Sequence, residues 1–149
     1  MPYRVGHGNA GLTGGDVKLI TVPDKAAGVL TFVPYTVPAG RLGRILFVGA
    51  RFHAGATVGT RTPVLNIRDA GGIRMFDTYF SDVSANEFHR VMAVSSGSTD
   101  LGFQNGGSSR GIPEGPWPEG AHVRVDTRDG LAGDAWSDIR VLVEEWEGV

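Results

Sequence analysis

Arg44-Ile45-Leu46-Phe47-Val48-Gly49-Ala50-Arg51-Phe52-His53-Ala54 is the strongest strand signal in the chain. At the two-residue period of a β-strand, Leu46, Val48, Ala50 and Phe52 share one side, and Ile45, Phe47, Arg51 and His53 share the other. A strand of an isolated antiparallel sandwich has one apolar face and one wet face. This one carries large apolar groups on both.

Outward from this run, short β-branched and aromatic segments alternate with Gly, Pro and Asp clusters, the pattern of an all-β sandwich. Val17 to Thr21 reads as a short edge strand. Val29 to Val37 follows, with Val29, Thr31, Val33, Tyr35 and Val37 on one face and Leu30 and Phe32 on the other. Pro34 cannot donate to a ladder and marks an edge position or a bulge. Pro63 to Arg68 and Ile73 to Asp77 form a hairpin across Asp69-Ala70-Gly71-Gly72, with Leu65, Ile67, Ile73 and Met75 pointing inward. Residues 78–87 read as a loop with at most one turn, and Phe88 to Val94 resumes as a strand. His122 to Thr127 and Ile139 to Trp146 complete the set, Val123 and Val125 facing the core.

About eight strands of sandwich length, with no Cys–Trp–Cys framework, predict an antiparallel, jelly-roll-like β-sandwich rather than an immunoglobulin pattern. Residues 1–15 contain five glycines and no periodicity, so they are expected to form a flexible N-terminal arm ahead of a single sandwich domain over 16–149. Ser95 to Gly120 is rich in Gly, Ser and Pro, with one short strand expected around Leu101 to Phe103. Within it, Trp117 stands between Pro116 and Pro118 and is expected to plug one end of the sandwich rather than serve as a ligand platform.

The 149 residues suffice for one domain that buries roughly 68–70% of its unfolded surface. Such a domain needs no disulfide or metal to hold its core, and the chain has no cysteine. A formal net charge of −2 disfavours nucleic-acid binding, and no apolar run is long enough to span a bilayer. Synthesis in a cytoplasm is expected, since the first residues lack a signal-peptide core. Of the 14 basic residues only Lys18 and Lys25 are lysines, a bias that a GC-rich genome or arginine-lined interfaces would each produce.

Once a two-sheet core is filled, Leu30, Phe32, Ile45 and Phe47 are left over, as are Leu142 and Trp146. Burial of each such side chain is worth about 1.5–3 kcal/mol, so something must cover them. Loops or the arm could do so; neighbouring subunits of a homo-oligomer are the preferred expectation. Tyr3, Arg4 and His7 are the expected anchors of the arm on a partner, because aromatic and arginine side chains dominate interface energetics.

No constellation of catalytic residues stands out. Histidines 7, 53, 89 and 122 lack metal-ligand spacing, and the closely spaced histidines of a cupin are missing. Asp126, Asp129, Asp134 and Asp138 resemble a loose calcium loop without the order of an EF-hand, and turn and capping roles are expected of them. Glu87, Glu114 and Glu119 could supply paired carboxylates, but nothing selects them. The expectation is a non-enzyme with no cofactor and no metal.

Three stretches carry a family likeness: Thr36-Val37-Pro38-Ala39-Gly40, Gly59-Thr60-Arg61-Thr62-Pro63-Val64-Leu65, and Asp138-Ile139-Arg140-Val141-Leu142-Val143-Glu144-Glu145-Trp146. In this order they resemble small jelly-roll head proteins of tailed bacteriophages, over about residues 36 to 146. The resemblance implies a capsid decoration (cement) protein, a virion structural component sitting as a homotrimer on the outer surface of the head and bound to the major capsid protein. The alternative is a carbohydrate- or receptor-binding β-sandwich module of a phage tail or secreted protein, whose exposed aromatics would be Tyr79, Phe80 and Trp117.

Overall fold

The computed structural model describes residues 14–95 and 107–148. In chain order the strands are β1 (Asp16–Val22), β2 (Thr31–Thr36), β3 (Arg41–His53), β4 (Thr62–Arg68) and β5 (Arg74–Tyr79). They continue with β6 (Phe88–Ser95), β7 (Gly107–Ile112), β8 (His122–Arg128) and β9 (Ala135–Glu147). One sheet has the order β1-β9-β3-β6-β7 and the other β2-β8-β4-β5.

Four antiparallel pairs, β1–β9, β2–β8, β3–β6 and β4–β5, are successive rungs of one long ribbon that ends at the β4–β5 hairpin. Rolling the ribbon up adds the β3–β9 and β4–β8 pairs and deals alternate rungs to opposite sheets. The result is a jelly roll. Strand β7 stands outside this scheme. It pairs parallel to β6, and its Gly-Ser-rich sequence gave no strand signal. The expected strand around Leu101 to Phe103 lies outside the described residues.

Between the sheets, the Trp136 indole takes Phe32 edge-on at 5.7 Å and Phe52 at 4.9 Å. Leu65, Ile67, Val123, Val141 and Val143 complete the centre of the core. Two expectations about side-chain direction are corrected here, and both failed at bulges. In β2 the register shifts between Phe32 and Tyr35, so both rings point inward while Val33 is exposed. Pro34 sits within that irregularity, on an edge strand, as its missing N–H requires. In β3 the register against β9 shifts between Ile45 and Phe47, and the extra residue, Leu46, lets both Ile45 and Val48 enter the core. Phe32 and Ile45 are therefore core residues of a single copy, 8% and 1% exposed, and not a surplus that needs covering. Trp146 is likewise 8% exposed.

The β4–β5 hairpin follows the expected turn. Asp69 closes it by accepting the Ile73 N–H on its side chain at 2.8 Å, and Gly72 supplies φ +83°. A register shift at Ile67/Arg68 then reverses β5 relative to expectation. Phe76, opposite Ile67, packs against the core, whereas Ile73 and Met75 are exposed.

The bulge at Leu46 makes a measurable distinction. Ile45→Ala should destabilise the protein by about 2–5 kcal/mol in chemical denaturation, because it opens a cavity in a closed core. Phe47→Ala, at a half-exposed position, should cost less despite removing more atoms. The opposite ranking would overturn the assignment of Ile45 to the core.

Candidate functional site

Buried charges tie the two ends of the roll together, and each is matched. At one end Arg61 and Asp134 are both fully buried. Arg61 Nε donates to Asp134 Oδ1 and Oδ2 at 3.0 and 3.1 Å, and its terminal nitrogens donate to the carbonyls of Gly59 and Thr57 at 2.6 and 2.8 Å. Asp134 also accepts the amides of Gly55 and Leu131 at 2.9 and 2.7 Å. Burial opposes ionisation of Asp134, but these two amides and the guanidinium outweigh it and hold the carboxyl below its usual range. At the other end Glu145 accepts Tyr35 Oη at 2.8 Å and Lys18 Nζ at 2.7 Å. Burial, then the Glu145 carboxylate, pushes the Tyr35 phenol well above its usual range. Beside it Glu144 pairs with Arg44 at 2.6 Å and accepts the Gly15 N–H.

The acids Asp126, Asp129, Asp134 and Asp138 do not converge. Asp126 joins a network on the outer side of the four-stranded sheet, accepting Asn66, Thr31 and Arg124 at 2.8–2.9 Å. Burial raises the cost of its charge, and those three donors more than offset it, lowering its pKa. Glu87 caps Ser84 N–H and Glu119 accepts Gly40 N–H, each a local structural bond. Among the described residues no group of three or more His, Asp or Glu is placed to hold a metal ion.

The outer side of the five-stranded sheet is different. Strand register sets Leu19, Leu142, Phe47 and Val94 next to one another across β1, β9, β3 and β6. Leu19 is 62% exposed, and the other three are half-buried. The adjacent row runs Arg140, Gly49, Met92. Gly49 contributes no side chain there, and a Cβ would meet the Phe47 ring at 2.5 Å. The Phe47 ring folds over that position, and a groove of about 120 Å³ beside it is lined by Phe47, Gly49, Met92, Arg90, Asp138 and Arg140. Asp138 lies on a bulge of β9, at φ +51°, an uncommon conformation for a non-glycine residue. Its N–H donates to Asp24 Oδ1 at 2.9 Å, its carboxylate accepts a hydrogen bond from Arg90 at 3.2 Å, and Arg140 forms an ion pair with it at 3.2 Å.

Of the residues singled out from sequence, Tyr3, Arg4 and His7 lie outside the described residues. Leu30 is half-buried ahead of β2, where its side chain lies close to Gly130. Phe32 and Ile45 offer no surface to a partner, for the reason given above. Phe47 alone of the five that are described is part of the outer-face groove. Trp117 is half-buried against the core and exchanges two backbone hydrogen bonds with Gly43, at 2.7 and 2.9 Å, in keeping with a plug. Phe80 is in the core, so of the three aromatics expected to meet a saccharide only Tyr79 is exposed. Sequence reasoning missed the groove, because Gly49, Met92, Asp138 and Arg140 come from three strands. No family model, curated protein or solved structure matches the chain.

Asp134→Asn or Arg61→Met should each destabilise the fold by about 3–5 kcal/mol, since either leaves a buried group unmatched. The double change Arg61→Met/Asp134→Leu should recover part of that loss in the same denaturation measurement. Asp126, Asp134 and Glu145 all have folded-state pKa values below the ordinary carboxylate range of about 4. Their stabilisation is therefore present above that range and is lost as pH falls through the folded values. Melting temperature should drop steeply below about pH 4, and Asp134→Asn should flatten that dependence.

Proposed function

We infer that this chain is a non-catalytic virion structural protein, a capsid decoration protein that binds as a homotrimer to the outer surface of a phage head and bridges coat subunits. The observation that carries this reading is the outer side of the five-stranded sheet. Its apolar row runs out to β1, where Val17 and Leu19 are 59% and 62% exposed. Strand β1 pairs with β9 over seven unbroken positions and, among the described residues, with nothing on its other side. A regular edge strand with exposed apolar groups invites another chain. The likeness of residues 36–146 to phage head proteins supports reading that other chain as a neighbour in the head shell.

The geometry also suits the mechanical role. Both sheets are fixed to one core, and the buried ion pairs hold both ends, so the body acts as a rigid clamp. Contacts that exist only on the assembled shell stabilise it by mass action, and several copies joined in one oligomer multiply the effect.

Two measurements test the reading. In sedimentation at micromolar concentration the protein should run above its 15.8 kDa monomer mass, and Leu19→Glu/Leu142→Gln should shift it toward monomer while circular dichroism shows the β-sandwich still folded. Added to heads of the encoding phage that lack it, the protein should co-sediment with them and raise their thermal stability. Deleting residues 1–12 should abolish that binding while the sandwich stays folded. A protein that is monomeric and does not bind heads would overturn the proposal.

A further inference from the structure

We propose that the groove over Gly49 is a binding site for an acidic side chain carried on an extended protein segment, with an apolar neighbour of that side chain packed against Phe47 and Met92. This rests on the assembly reading and deepens it by stating the chemistry of the partner.

The argument begins with charge. Arg51 and Arg90 are directly opposite each other in the β3–β6 register, and like charges in that relation repel. Arg140 is directly opposite Gly49, on the β9 side. Of these, Arg90 and Arg140 line the groove, against one lining carboxylate, Asp138, whose N–H is bonded to Asp24. A chain of net charge −2 has therefore concentrated a positive excess at the rim of its outer-face groove.

The donors are also available. A guanidinium has five N–H groups in a planar fork. Arg90 reaches Asp138 through Nη1 alone and Arg140 through Nη2 alone, both at 3.2 Å, and their side chains are 58% and 55% exposed. Asp138 thus holds the two arginines on either side of the groove while leaving most of their donors facing outward. Arg51 is placed differently: its guanidinium lies 4.2 Å from the centre of the Phe88 ring.

Asp138 is itself held in a left-handed conformation by the Asp24 carboxylate. Such a conformation costs of order 1–3 kcal/mol, and here it aims one carboxylate at two arginines. The floor completes the site. The Phe47 ring lies over Gly49, where a Cβ would fall 2.5 Å from it, so an apolar group in the groove meets the Phe47 ring and Met92 rather than the sheet backbone. A bare inorganic anion would use the arginines but not this apolar floor, whereas a carboxylate beside an aliphatic group uses both.

The test is an NMR titration of the full chain with the capped dipeptide N-acetyl-leucyl-glutamate amide. Amide shifts should be confined to Gly49, Arg90, Met92 and Arg140 and saturate at millimolar concentration. Arg90→Gln/Arg140→Gln should weaken binding by about ten-fold or more, through loss of charge-assisted hydrogen bonds, with the rest of the spectrum unchanged. Met92→Glu, which places a carboxylate in the groove, should abolish binding independently. Equal shifts from N-acetyl-leucyl-glutamine amide, undiminished binding in the double variant, or no shifts at all would overturn the proposal. Inorganic phosphate reproducing the shifts at lower concentration would overturn it in favour of a bare anion site. Failure here with intact binding to heads removes only the acidic-segment assignment. Binding of the dipeptide by a protein that ignores heads removes the decoration reading instead.

Discussion

The Arg61–Asp134 ion pair is the constraint on which the rest of the roll depends. Arg61 opens β4, and its guanidinium closes the β3–β4 connection by binding the carbonyls of Gly59 and Thr57. Asp134 sits just before β9 and fixes the β8–β9 connection through Leu131. The backbone of Arg61 adds two bonds to Val83, at 2.8 and 3.0 Å, and so reaches the β5–β6 connection as well. Three loops that would otherwise move separately meet at one buried pair of charges. A buried pair is weak evidence for net stability when compared with an apolar replacement. Its value here is specificity: an unmatched charge at this depth excludes any packing in which the loops do not converge.

How much of this was legible in the chain depends on distance along it. The strands themselves were readable, because turn residues punctuate them and Pro34 announced its edge and its bulge. Side-chain direction was not. A single extra residue such as Leu46 reverses the parity of all that precedes it, and nothing local to Ile45 or Phe32 reveals the shift. Strand β7 was invisible for a different reason: Gly107-Ser108-Ser109-Arg110-Gly111-Ile112 has almost no β propensity and is held by its neighbour β6. The groove was hidden by construction. Its floor is the Phe47 ring laid over Gly49, a position where any side chain would collide with that ring, with Arg140 and Met92 brought to either side.

The two outer faces divide the labour of the molecule. Over the four-stranded sheet, Asn66, Arg68, Arg124 and Asp126 satisfy one another, and Asn66 is buried beneath them. That polar network is satisfied within a single copy. Over the five-stranded sheet the apolar row of Leu19, Leu142, Phe47 and Val94 lies between the Arg44–Glu144 pair on one side and Asp138 with its arginines on the other.

The ribbon architecture also sets the order in which this protein can be made. Strand β1 pairs with β9 alone among the described strands, and the hydrogen bond from Gly15 to Glu144 spans 129 positions. On the ribosome, the β4–β5 and β3–β6 rungs have both partners early, while β1 waits until β9 has left the exit tunnel. Contacts this remote close slowly, so the exposed Val17 and Leu19 edge stays unpaired from its own synthesis until β9 has emerged. Chaperone engagement should fall on that first strand.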